Sequence, residues 1–116
     1  MATLTVQTID RESATPFAPT YAAVGASDKF LPGAQTFLHF KNTNAATRTV
    51  TVAAPNNVVP DVGTVDNAYV VPATTGDIMI GPFPAEIFAN SADGLCDLTY
   101  SGTTNLTVAA LKLSQP

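Results

Sequence analysis

The sequence predicts an all-β protein: a single antiparallel β-sandwich or jelly-roll-like barrel of about seven to eight strands. Short segments alternate apolar and polar residues with a period of two, which is typical of half-buried strands. Gly, Pro, Asn or Asp separate these segments at short intervals, as in sandwiches and barrels. The chain has 116 residues and a mass of 12.0 kDa, which suits one domain around one core.

The first alternating segment, residues 3–9, places Leu4 and Val6 on one face and is predicted to form one strand. β-branched residues fill 47–53, and the preceding loop, 42–46, has the length of a hairpin connection. This loop is therefore predicted to join two paired strands. The remaining strands are predicted, in chain order, at 28–31, 35–41, 68–71, 77–80, 96–101 and 105–113.

Two regions lack strand alternation. The segment at about 10–27 contains two prolines, which suit neither a helix interior nor a central strand, so we expect it to be irregular. The stretch 58–66 also contains a proline and a glycine, and we expect a loop at a sheet edge there. One helical turn is predicted at 84–90, with its proline near the start, where the missing N–H does no harm.

The core is predicted from the alternating apolar positions of these strands. The candidates are Leu4, Val6, Leu38, Phe40, Val50, Val52, Ile78, Ile80, Leu98, Tyr100, Leu106 and Val108.

Charged residues make up 12% of the chain, about half of the usual ~25%. Thr, Asn, Ser, Ala and Pro take their place, and these residues cost less to desolvate than Lys or Glu. Since charged residues are depleted in the cores of protein interfaces, we expect much of the outer surface to be buried against partner subunits. The alternative is a soluble monomer with a surface rich in Thr and Asn.

The charge balance argues against two classes of partner. The formal net charge is −4, and the five basic residues do not cluster, so we expect no nucleic acid. No apolar run approaches the roughly 18 residues of a membrane helix, so we expect no membrane partner. The first five residues lack the basic and apolar stretches of a signal peptide, which favours a cytoplasm-like setting.

Residues of the types used in catalytic and metal sites are scarce in this chain. Cys96 is the only cysteine and is expected to be a small buried hydrophobe. It could pair with the only histidine, His39, oriented by Asp97, but no glycine elbow or helix N-terminus surrounds the thiol to activate it. No phosphate-binding loop or calcium loop occurs. We therefore expect no enzyme, no catalytic residue, no cofactor and no metal.

Three segments suggest a family when they are taken in order. They follow an opening like 2–6 and a Pro-Thr-Tyr at 19–21, and together they resemble small head decoration proteins, also called minor capsid proteins, of tailed bacteriophages. The order of the segments over most of the chain carries the resemblance. They are Thr36-Phe37-Leu38-His39-Phe40-Lys41-Asn42, Met79-Ile80-Gly81-Pro82-Phe83, and Leu98-Thr99-Tyr100-Ser101-Gly102 leading into Leu106-Thr107-Val108-Ala109-Ala110-Leu111.

The resemblance implies a structural virion protein without a catalytic site. Such a protein, commonly a homotrimer, is made in the bacterial host cytoplasm and binds the major capsid protein on the outer surface of the phage head, where it stabilises the shell. Two alternatives remain open: another virion part, such as a tail or head-completion protein, and a soluble β-sandwich module that binds a glycan or peptide.

Contacts with the capsid or with other subunits are expected where apolar side chains lie outside clean strands. The alternative for each is that it packs on the chain's own core. The candidates are Phe17, Tyr21, Val58, Val59 and Phe83.

Overall fold

A computed structural model describes residues 2–9, 18–54, 67–90 and 92–113. Two sheets pack face to face as an open sandwich, which confirms the predicted all-β fold class. The described residues form ten strands, two of them only two residues long, so the strand count exceeds the predicted seven to eight. The sandwich is open at its sides, unlike a barrel.

The bounds of the elements agree with most of the predicted strands to within one or two residues. The strands are β1 Ala2–Thr3, β2 Val6–Ile9, β3 Ala22–Ala23, β4 Ser27–Phe30, β5 Thr36–Asn42, β6 Arg48–Val52, β7 Asn67–Val71, β8 Gly76–Ile80, β9 Cys96–Tyr100 and β10 Leu106–Leu113, and the helix is α1 Ala85–Phe88.

The first sheet has the strand order β1-β4-β9-β6-β7, and the second has the order β2-β10-β5-β8, with β3 also paired to β10. Most pairs are antiparallel, but β1 runs parallel to β4 and β2 runs parallel to β10. The prediction of one strand over 3–9 was wrong. The segment pairs with the first sheet, crosses between the sheets at Leu4 and Thr5, and then joins the second sheet. Leu4 N–H donates to Lys29 O at 2.7 Å at this crossing.

The predicted hairpin around 42–46 was also wrong, because β5 lies in the second sheet and β6 in the first. The connection crosses the sandwich, and the buried Asn42 side chain holds it in place. Asn42 Nδ2 donates to Ala46 O at 3.0 Å and to Pro72 O at 3.1 Å, while its Oδ1 accepts from Asn44 N–H at 3.0 Å. Among described strands that follow one another in the chain, only β6 and β7 pair directly.

The core lies between the two sheets and contains all twelve predicted positions. Eight of them are buried, and Leu4, Val6, Ile78 and Tyr100 are partly buried against the others. Each large apolar side chain buried in this way contributes about 1.5–3 kcal/mol.

One aromatic cluster extends this core at one end of the sandwich. The Phe83 ring meets Phe30 edge to face at 5.4 Å and Phe88 at 5.1 Å between ring centroids. Phe88 is placed there by α1, which confirms the predicted helical turn. The carbonyl of Pro84 accepts from the N–H groups of Ile87 and Phe88 and so closes that turn. Within the described ranges, no helix is long and apolar enough to cross a membrane.

Candidate interaction surface

The outer face of the second sheet is set by the alternation of β5. Leu38 and Phe40 point into the core, so Phe37, His39 and Lys41 point outward. The register with β8 and β10 divides this face into a polar end, beside Lys41, and an apolar end, beside Phe37. The two ends have different properties.

At the polar end, His39 joins Tyr21 to Asp77. Tyr21 Oη lies 2.5 Å from His39 Nδ1, and His39 Nε2 is hydrogen-bonded to Asp77 Oδ1. Because a carboxylate only accepts hydrogen bonds, we assign the Nε2–H as donor to Asp77 and the phenol as donor to Nδ1. The Tyr21 ring also meets the imidazole edge to face at 5.2 Å and has Lys41 Nζ 4.3 Å from its centroid. Both ring nitrogens of this buried histidine are therefore satisfied.

The electrostatics of the cluster favour a positioning role. Burial, and then the charge of Asp77, raises the pKa of Tyr21, so its phenol stays protonated at neutral pH. The hydrogen bond from His39 lowers the pKa of Asp77 and keeps the carboxylate charged. A protonated phenol is a weak nucleophile, whereas it is a good hydrogen-bond donor. The cluster thus ties the segment before β3 to the sheet.

A second contact fixes the same segment. Gln7 Nε2 donates to Thr20 O at 2.8 Å, and Thr20 N–H donates to Gln7 Oε1 at 2.9 Å. One amide side chain therefore satisfies both backbone groups of Thr20. Together with the cluster at His39, it holds residues 20 and 21 against the second sheet.

The structure does not bring together the residues considered for a thiol nucleophile. Cys96 is fully buried in the core on β9 of the first sheet, and its Sγ lies 3.6 Å from Ala53 O. Asp97 lies on the other face of β9, and His39 points away from the core on the second sheet. In the part of the chain that the structure describes, no three His, Cys, Asp or Glu residues could hold one metal ion.

Three large hydrophobic side chains near the apolar end of the sandwich are mostly exposed: Met79 at 64% and Leu113 at 51% on the second sheet, and Leu31 at 60%, directly after β4 of the first sheet. Leu31 lines a cavity of about 460 Å³ and Met79 lines a second of about 320 Å³, and the two cavities adjoin through Ala34, Gln35 and Leu113, which line both. We call Leu31, Met79 and Leu113, with the two cavities between them, the apolar surface. Large exposed apolar side chains grouped around adjoining cavities are typical of interaction sites in soluble proteins.

The predicted contact residues lie in different environments in the structure. Tyr21 is half-buried and engaged with His39 and Lys41 of its own chain. Phe83 is 1% exposed and lies in the core, so its side chain is closed to a partner. Phe17, Val58 and Val59 lie outside the described residues.

Sequence reasoning missed the apolar surface, although a signal for it exists. Strand β8 has apolar residues on both faces in Ile78, Met79 and Ile80, and β10 does so in Ala110 and Leu111, with Leu113 on the same face as Leu111. Such strands depart from strict alternation because both of their faces are apolar.

Comparison with known proteins found no matching family model, no matching curated protein and no matching solved structure.

Proposed function

We propose that the protein is a structural virion component: a decoration protein that binds the outer surface of a tailed-phage head and stabilises the shell. The observation that carries the proposal is the apolar surface formed by Leu31, Met79 and Leu113. The order of sequence segments supports the phage assignment, since it resembles that of head decoration proteins. The partner on this surface is the major capsid protein.

The energetics of the apolar surface suit repeated attachment. Full burial of one exposed Leu or Met side chain is worth about 1.5–3 kcal/mol, so a single copy gains only a modest contact after the costs of association. Several copies of that contact on one oligomer raise the overall affinity strongly. We therefore propose a homotrimer that presents three apolar surfaces to the shell.

The small number of unpaired charges on the two sheets favours burial of the apolar surface against a partner. Lys29 on the first sheet is paired with Asp93 at 2.5 Å, and Asp77 on the second is hydrogen-bonded to His39. Of the charged side chains in the described ranges, only Lys112 lines either of the two cavities of the apolar surface. A contact with so few charges loses little hydration when a partner covers it.

The test is to measure the solution mass by light scattering, mix the protein with undecorated phage heads, sediment the heads and image them. We expect a trimer of 12.0 kDa chains that pellets with the heads, saturates, and adds density to their outer surface. A monomer that stays in the supernatant would contradict the proposal and favour a soluble binding module. Density confined to a tail or to the head vertex would indicate a different virion part.

A further inference from the structure

A third cavity, of about 580 Å³, lies at the side of the sandwich where residues 3–5 cross from one sheet to the other. It is separate from the apolar surface. Its walls include the aliphatic side chains of Ala22, Val108 and Ala110, and Gly25 and Asp28 also line it. A mostly apolar pocket with one acidic group is an arrangement suited to a small number of ligand classes.

The acidic group is a buried carboxylate that forms no ion pair with the described residues. Asp28 is 1% exposed, and its Oδ2 accepts from Tyr100 Oη at 2.7 Å and from Gly25 N–H at 3.1 Å. Its Oδ1 accepts no hydrogen bond from the described residues, and neither ion pair among them includes Asp28. Burial of a carboxylate is costly unless its remaining acceptor positions are filled. A hydrogen bond from a ligand donor to Oδ1 would therefore offset the most of this cost.

Gly25 leaves space beside that oxygen. A Cβ atom at this position would lie 3.2 Å from Asp28 Oδ1, so an alanine side chain would crowd the space that a donor needs. The nearby walls from Ala22, Val108 and Ala110 suit a chain of methylene groups. Lysine side chains bury their stems in this way while the charged end finds a polar partner.

We propose that this cavity binds an alkylammonium group, with the ammonium donating to Asp28 Oδ1 and the methylene chain packed against the alanines and Val108. An ammonium fits better than a guanidinium, because a guanidinium fork needs two free carboxylate oxygens and Oδ2 already accepts two hydrogen bonds. The group comes from a lysine side chain of a partner protein or from a free amine. This inference does not depend on the proposed function.

The test is a titration of the isotope-labelled protein with n-butylammonium chloride, followed by amide NMR, with n-butanol as the uncharged ligand. We expect saturable shifts at Gly25, Asp28 and Ala109 with the ammonium, and at least about tenfold weaker binding of n-butanol. Equal binding of the two ligands, or no saturable shift with the ammonium, would overturn the proposal.

Two variants separate the site from general effects on folding. Asp28→Asn removes the charge, and Gly25→Ala fills the space beside Oδ1 while it keeps the carboxylate. Each should weaken n-butylammonium binding at least about tenfold. Asp93→Asn makes the same charge change at an exposed pair and should leave binding unchanged. Unchanged binding in Gly25→Ala, with native-like spectra, would contradict the site.

A second pair of ligands identifies the source of the group. N-acetyl-Gly-Lys-Gly-amide is compared with the norleucine peptide that lacks the ammonium. Tighter binding of the lysine peptide than of n-butylammonium supports a lysine of a partner protein. Binding of n-butylammonium alone supports a free amine. Equal binding of the lysine and norleucine peptides overturns the role of Asp28.

Discussion

At the scale of single residues, the structure shows how a few polar groups are placed on an apolar scaffold. His39 occupies an outward position of a central strand, yet it is only 7% exposed, because Tyr21 and Asp77 cover it. The sequence pattern predicts that His39 faces away from Leu38 and Phe40. It does not reveal the partners, since these come from residues 18 and 38 positions away in the chain.

Tyr21→Phe tests the tie between the N-terminal segment and the second sheet. The change removes the donor to His39 Nδ1 and keeps the ring, so we expect a loss of about 1 kcal/mol in the free energy of unfolding. Urea denaturation measures it. Tyr69→Phe is the matched control, because it removes a hydroxyl outside the cluster. Equal losses in the two variants would show that the hydrogen bond from Tyr21 to His39 adds nothing to the free energy of unfolding.

Tyr100→Phe tests the donor to the buried carboxylate. Burial, and then the hydrogen bond to Asp28, raises the pKa of Tyr100, so the phenol donates throughout the neutral range. Loss of this donor leaves Asp28 Oδ2 with one hydrogen bond fewer, and we expect a cost of about 1.5–3 kcal/mol in the free energy of unfolding. A loss no larger than that of Tyr69→Phe in the same urea titration would contradict this interpretation.

Two carboxylates predict the response to acid. The pKa of Asp77 is lowered by its hydrogen bond with His39, and the pKa of Asp93 by its hydrogen bond with Lys29, both from 3.8. A lowered pKa in the folded state means that these groups stabilise the fold above pH 3.8 and lose that effect as the pH falls through their folded pKa values.

We expect the urea midpoint to fall between about pH 5 and pH 3, and to fall less in Asp77→Asn and in Asp93→Asn. Glu86→Gln is the control, because Glu86 is exposed on α1 outside both pairs. An identical pH dependence in all four proteins would exclude the two aspartates as its source.

At the scale of elements, the strands could be predicted and their pairing could not. Alternation located β5 and β6 because each has apolar residues on one face. The five-residue loop between them has the same composition in a hairpin and in a crossing between sheets. The choice depends on Asn42, whose side chain is satisfied by backbone groups of two separate connections.

Asn42→Ala should therefore destabilise the fold far more than a surface change. It leaves Ala46 O, Pro72 O and Asn44 N–H without their side-chain partner at a fully buried position, so we expect a loss of about 3 kcal/mol. Asn44→Ala is the control, since it removes one exposed contact to Ala46 N–H and should cost about 0.5 kcal/mol. Thermal unfolding of both variants measures the difference, and similar losses would contradict the role of Asn42.

At the scale of the whole molecule, composition predicted a surface with few charges, and the structure shows where its apolar part lies. Single-strand patterns mark apolar residues on both faces of β8 but do not show which residues they adjoin, because Leu31, Met79 and Leu113 come from three distant parts of the chain and line adjoining cavities only in the folded sandwich. Among the candidate contacts, the sequence left open whether Phe83 is exposed or packs on the core, for a related reason. Phe83 follows a strand and precedes a helix, where sequence alone does not distinguish an exposed ring from a buried one.

We propose that the apolar surface attaches the protein to a phage head. The measurement that tests it most directly is the number of copies bound per undecorated head, by sedimentation, for the wild type and for the variant with Leu31→Gln, Met79→Gln and Leu113→Gln. Val70→Gln is the matched control, because Val70 is 60% exposed on the other sheet. We predict saturating binding of the wild type and of Val70→Gln, and at least about tenfold weaker binding of the triple variant. Equal binding of the folded triple variant and the wild type would contradict the claim.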